Sequence, residues 1–190
     1  MIKIDEKIRE KLVLALDVED INEAKELVAT LSPYIGTFKV GLQLFCGYGL
    51  EIVNYIKEKN ANFFLDVKLH DIPNTVEKAS YNVIKNGANF FNVHATGGID
   101  MMKAARKGAD EAALKYGKKK PLILAVTVLT SISDDVLKNE LSNTKQALNL
   151  LFSWLKMLSL LVLMVLWLRR LSFLSLKKNC NSKFSYKRRC

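Results

Sequence analysis

A chain of 190 residues, 49% of them hydrophobic, can enclose one sizeable core and needs no second domain. The formal net charge of +10 points to an acidic partner, yet residues 1–140 carry 19 Lys+Arg against 19 Asp+Glu and every surplus positive charge falls in 141–190, so the basic balance describes a tail and no nucleic-acid-binding surface is expected. Cys46, Cys180 and Cys190 are odd in number and lack Cys-x-x-Cys spacing, which excludes a disulfide framework and a zinc site and fits a reducing compartment.

The opening "MIKIDEKIREKL" is charged throughout and has no apolar run, so it does not read as a secretory signal, and a cytoplasmic location is expected. "LVLALD" (12–17) is the first strand. "DINEAKELVATL" follows as a helix, with Asp20 and Glu23 at capping-box spacing. Strands "TFKVG" (37–41) and "NFFLDVK" (62–68) come next, then a helix in "NTVEKASYNVIKNG" with Asn74 as N-cap and Gly87 as stop. "FFNVHA" (90–95) and "LILAVTVLT" (122–130) complete the series, with Gly97–Gly98 as a turn between them. Strand–helix alternation means parallel βα units, and near-continuous apolar strands mean a sheet covered on both faces. A doubly wound sheet and a (β/α)8 barrel both satisfy this.

Polarity at the strand ends favours the barrel. Asp17, Lys39, Asp66 with Lys68, His94, and Thr127 with Thr130 each stand at or near the end of a strand, where a barrel gathers its active-site residues. A Rossmann sheet would carry a glycine-rich phosphate loop after its first strand, and "LALDVEDINEA" has no glycine. Within "DVKLHDIPNT" (66–75), Asp66 and Lys68 are two apart and share a strand face while Val67 points away. A structural ion pair at the strand end and a catalytic charge array both explain such a pattern.

Asp17 to Thr127 covers four strand-to-strand steps in 110 residues, so eight units at that spacing exceed the chain. About five are legible, and the division expected is an incomplete barrel over 1–147 and an aberrant apolar and basic tail over 148–190. There is no Pro from 122 onward, no Gly from 118 and no acid from 141, so the turn residues of further units are missing. A translation in the wrong reading frame is the favoured explanation. A membrane-anchoring helix over 150–168 is the second. A basic partner-binding arm is the third, and its leucine content is high for a solvated segment.

"LALD", "FKVG", "FFLDVKLHDIPNT", "NVHATGG" and "LAVTVLTS", in this order and spacing, resemble the orotidine 5'-phosphate decarboxylase family over roughly residues 10–145. The D-x-K-x-x-D core is shared with related sugar-phosphate barrels, whereas the H-D-I-P-N-T continuation is similar to the decarboxylases alone.

The resemblance implies a carboxy-lyase of pyrimidine biosynthesis that converts orotidine 5'-phosphate to UMP without metal or organic cofactor. It implies that Lys39, Asp66, Lys68 and Asp71 form an alternating charge array. Lys68 would donate the proton, and Asp66 would sit near the departing carboxylate. Asp17 would contact the ribose and Thr130 the pyrimidine, with Thr127 structural. Asp71 and Thr75 would enter the active site of a neighbouring subunit, implying a homodimer. His94 reads as a hydrogen-bonded barrel residue. The family's phosphate-binding glutamine and arginine have no match after 147, and Arg169 and Arg170 are not assigned that role.

Overall fold

The computed structural model describes residues 4–129, 131–141 and 164–167. Six strands form one sheet: β1 (Val13–Leu16), β2 (Thr37–Gly41), β3 (Asn62–Leu69), β4 (Phe90–His94), β5 (Leu122–Val126) and β6 (Met164–Trp167). Their spatial order is their chain order, and each neighbouring pair is parallel. A doubly wound sheet reverses its order at a switch point. An uninterrupted sequential parallel order is instead that of a (β/α)8 barrel, present here in part.

Helices α1 (Glu6–Arg9), α2 (Ile21–Leu31), α3 (Leu42–Tyr48), α4 (Leu50–Glu58), α5 (Pro73–Lys85), α6 (Gly98–Lys115) and α7 (Asp134–Asn139) punctuate the strands. Asp20 caps α2 as expected, its Oδ1 accepting from the N–H of Asn22 at 2.7 Å and of Glu23 at 3.0 Å. The start of α5 corrects the sequence reading. Ile72 holds the N-cap position without a side-chain bond, and Asn74 lies inside the helix. Pro73 accounts for the shift: its fixed φ suits the first turn, and it has no N–H for a cap to satisfy. Gly87 does follow the end of α5, with φ at 103°. Gly97 closes a short 3-10 turn (Ala95–Gly97), and Gly98, at φ 83°, leads directly into α6. The two longest helices lie close together, because a Cβ on Gly108 of α6 would collide with the backbone carbonyl of Glu77 on α5.

Strand alternation divides the sheet into two faces. Phe38, Val40, Phe63, Leu65, Phe91, Val93, Ile123 and Ala125 are buried among Ile52, Ile56, Val76, Ile84, Met101 and Ala105 of the helices. Their alternates in sequence, including Lys39, Asp66 and Asn92, occupy the opposite face. The apolar helix–sheet layer thus anchors each strand and commits its polar residues to the barrel interior.

Strand ends are shorter than expected: β1 stops before Asp17, β4 before Ala95 and β5 before Thr127. Ladder pairing ceases where the backbone turns toward the next helix, leaving those residues on the rim. The sixth strand was not anticipated. It lies within 148–190 and pairs Met164–Trp167 in register with Ile123–Val126. These four residues also belong to the 150–168 run considered as a spanning helix, and they are extended. Among the described residues no helix is long and apolar enough to cross a membrane.

Candidate active site

Three strands deliver four charges to one rim. Lys39, in the middle of β2, donates from Nζ to Asp17 Oδ1 at 2.8 Å and lies 3.6 Å from Asp66 Oδ2. Lys68 donates from Nζ to Asp66 Oδ1 at 2.6 Å. The result is a row of alternating sign, Asp17–Lys39–Asp66–Lys68, whose outer member is open and whose inner carboxylate is enclosed: the Asp17 side chain is 69% exposed and that of Asp66 only 17%. A cleft of about 180 Å³ is lined by Asp17, Lys39, Gly41, Gln43, Asp66 and Lys68. A second, of about 200 Å³, shares Asp66 and Lys68 and adds Phe64, Asn92, Val126 and Leu129.

Asp66 and Lys68 do meet, but not through the regular pleat that the two-residue spacing suggested. The β3–β4 register shifts between Leu65 and Leu69, and Lys68 sits at φ 52°. Left-handed backbone is costly for a residue with a Cβ and collects at functional sites.

Burial alone would raise the Asp66 carboxyl. Hydrogen bonds from Lys68 and Asn92, with the charges of Lys68 and Lys39, outweigh it, and the group is held below its ordinary 3.8. Asp66 is therefore a carboxylate across the physiological range, and it accepts from Lys68 Nζ beside it. His94 lies with its ring centroid 5.4 Å from that of His70. Burial first, then the nearby His70 and Lys68 charges, lower its pKa from the usual 6.5, so a neutral imidazole borders the array.

The other expected site residues are placed differently. Asp71 and Thr75 are exposed at the start of α5, apart from the row, and Asp71 Oδ1 accepts from the Ile72 N–H at 2.7 Å. Thr127 is buried just beyond β5, in line with a structural role. Thr130, Arg169 and Arg170 lie outside the described residues. One residue escaped the sequence reading: Asn92 on β4, 3% exposed, donates from Nδ2 to Asp66 Oδ1 at 2.6 Å. Its signal was a polar residue inside "FFNVH" at the inward register, passed over for the more conspicuous His94.

Chemically, a fixed ammonium against a fixed carboxylate, at the edge of a cleft, can stabilise and then protonate a carbanion. A sequence profile of the Orotidine 5'-phosphate decarboxylase / HUMPS family matches residues 10–153. An orotidine 5'-phosphate decarboxylase of Moorella thermoacetica is 40% identical over 146 residues, covering 77% of this chain and 58% of that protein. One of Shewanella sediminis is 47% identical over 127 residues, 67% of this chain and 53% of that protein. The chain thus spans a little over half the length of these curated relatives. Among solved structures, orotidine 5'-phosphate decarboxylase from Lactobacillus acidophilus superposes with a TM-score of 0.80 at 33% identity, over 92% of this chain and 78% of that one. An uncharacterized conserved protein from Geobacillus kaustophilus gives 0.75 at 35% identity, over 80% and 70%.

Proposed function

Because this chain belongs to the orotidine 5'-phosphate decarboxylase / HUMPS family, we propose that its charged rim serves the decarboxylation of orotidine 5'-phosphate to UMP and carbon dioxide. The supporting observation is the row itself: Lys39 between Asp17 and Asp66, and Lys68 at 2.6 Å from Asp66. When the carbon–carbon bond to the carboxylate breaks, its electron pair stays on C6 of the pyrimidine, and carbon dioxide leaves. Lys68 supplies the proton that C6 receives. An ammonium fixed where negative charge develops stabilises the transition state without reorganising. Asp66 faces the departing carboxylate, Asp17 and Lys39 hold the ribose side, and Thr130 the pyrimidine. No cofactor enters the step.

Asp71 and Thr75 act in the site of a second subunit, so the working form is a homodimer in the cytoplasm. Their exposure, Asp71 just ahead of α5 and Thr75 in its first turn, beside Ile72 at 65% exposed, supports this reading. The division near 147 rests on the loss of turn residues beyond it. Without the phosphate-binding residues of the last units, 1–190 alone turns over negligibly, since binding energy from the remote phosphate is lost.

The test grafts residues 1–147 onto the C-terminal units of the Moorella relative and follows loss of orotidine 5'-phosphate by its absorbance. The graft turns over, Lys68→Ala abolishes turnover while the fold is kept, and 1–190 alone is silent. A folded graft without activity, or near-normal activity in Lys68→Ala, refutes the assignment.

A further inference from the structure

We propose that Asn92 is the positioning residue of this site, holding the left-handed turn at Lys68 and the orientation of the Asp66 carboxylate at once. The inference rests on Lys68 being the working ammonium, and it concerns how that ammonium is kept in place.

Three hydrogen bonds close a ring. The Lys68 backbone N–H donates to Asn92 Oδ1 at 2.7 Å. Asn92 Nδ2 donates to Asp66 Oδ1 at 2.6 Å. Lys68 Nζ donates to that same oxygen at 2.6 Å. Asn92 therefore ties the backbone of Lys68 to the carboxylate that grips its side chain. The ring lies where the β3–β4 ladder loses register, so a side-chain oxygen accepts the N–H there. Left-handed backbone at a lysine persists only where its surroundings over-determine it. A side chain 3% exposed, with both polar atoms engaged, meets that requirement.

The chemistry of the amide explains the residue type. A backbone N–H demands an acceptor and a carboxylate demands a donor, and asparagine carries both on a short stem. Aspartate keeps the acceptor but turns a second charge toward Asp66. Leucine fills the space and offers neither.

Lysine acylation by acetic anhydride over a pH series, read peptide by peptide by mass spectrometry on the full 1–190 chain, tests this without substrate. Exposed Lys78 and Lys103 are the references. In the wild type Lys68 reacts about tenfold more slowly than these, because its Nζ is bonded to Asp66 and its side chain is only 33% exposed. Asn92→Leu raises the Lys68 rate at least about threefold and leaves Lys39, which retains Asp17, protected. Asn92→Asp keeps an acceptor for the Lys68 N–H and sets a second carboxylate beside the ammonium, and it slows Lys68 labelling at least about threefold while Lys39 stays as in the wild type. Wild-type labelling of Lys68 in both variants, or an equal rise at Lys39 and Lys68 in a folded Asn92→Leu, overturns the proposal, the latter because it reports only lost packing. Should Asn92→Leu label every lysine alike, showing lost fold, Asn92→Asp decides by its slowing of Lys68 or the lack of it. A graft that fails to decarboxylate leaves these labelling results untouched, so failure of the functional reading and failure of this one are told apart.

Discussion

Removing the Asp66 carboxylate separates an enclosed charge network from a decorative surface pair. In Asp66→Ala the Asn92 amide, 3% exposed, loses its acceptor, and an unsatisfied buried donor costs about 1–3 kcal/mol. Lys68 loses its ion pair, but its side chain is 33% exposed and water replaces the carboxylate, so about 0–1 kcal/mol is added. Lys39 keeps Asp17 at 2.8 Å and adds little. The expected loss is about 1–4 kcal/mol. Asp17→Ala is the internal control: its carboxylate is 69% exposed, and its removal costs less than about 1 kcal/mol. Urea unfolding of 1–190 at neutral pH, followed by far-ultraviolet circular dichroism, reads both values from midpoints at equal slope. A loss within about 0.5 kcal/mol of zero for Asp66→Ala refutes the reasoning, as does an equal cost at Asp17. A gain in stability would show a strained array and refute it more directly, because the alternating signs here predict mutual support.

Gly108→Ala forces a Cβ into the Glu77 carbonyl and lowers stability by about 1–3 kcal/mol; Gly97→Ala meets first the end of the flexible Met101 thioether and then the His70 ring edge, which can shift, and costs under about 1 kcal/mol in the same urea titration. Asp20→Ala removes two capping bonds of α2 and costs about 1 kcal/mol by the same measure. Because His94 is held below its ordinary 6.5, the unfolded chain binds its proton first, so the His94 contribution to stability is complete above 6.5 and is lost as pH falls toward the lower folded value. Thermal unfolding of His94→Gln is correspondingly flatter between about pH 7 and pH 5 than that of the wild type. The Asp66 contribution follows the same sign lower down, complete above 3.8 and lost as pH falls through its depressed value.

The sequence-based reading was strongest where one period governed the chain. Five apolar runs became strands in the expected order, and polarity at their ends located Asp17, Lys39, Asp66 and Lys68 in one row. It weakened where local rules competed. A strict pleat put Asp66 and Lys68 on one face, while the molecule brings them together through a register shift and a left-handed residue, which no two-residue period encodes. Asn74 looked like a cap because asparagine caps well, but proline one position earlier already starts the helix. Asn92 drew no notice because its worth depends on a partner 26 residues away. β6 was hidden by a segment apolar on all sides, where strand and helix share one composition.

Sequential strand order has a consequence for how such a chain acquires its shape. Every pairing from β1 through β5 joins a strand to the one synthesised just before it, so each new strand leaving a ribosome finds its docking edge already formed. The sheet can lengthen from the N-terminus by addition, with only the loop entropy of one short helical crossover, of one helix or two, opposing each step. At every stage of that growth one unpaired edge advances with the nascent chain, and it is there that a holdase or a stray strand from another polypeptide would compete with the next segment.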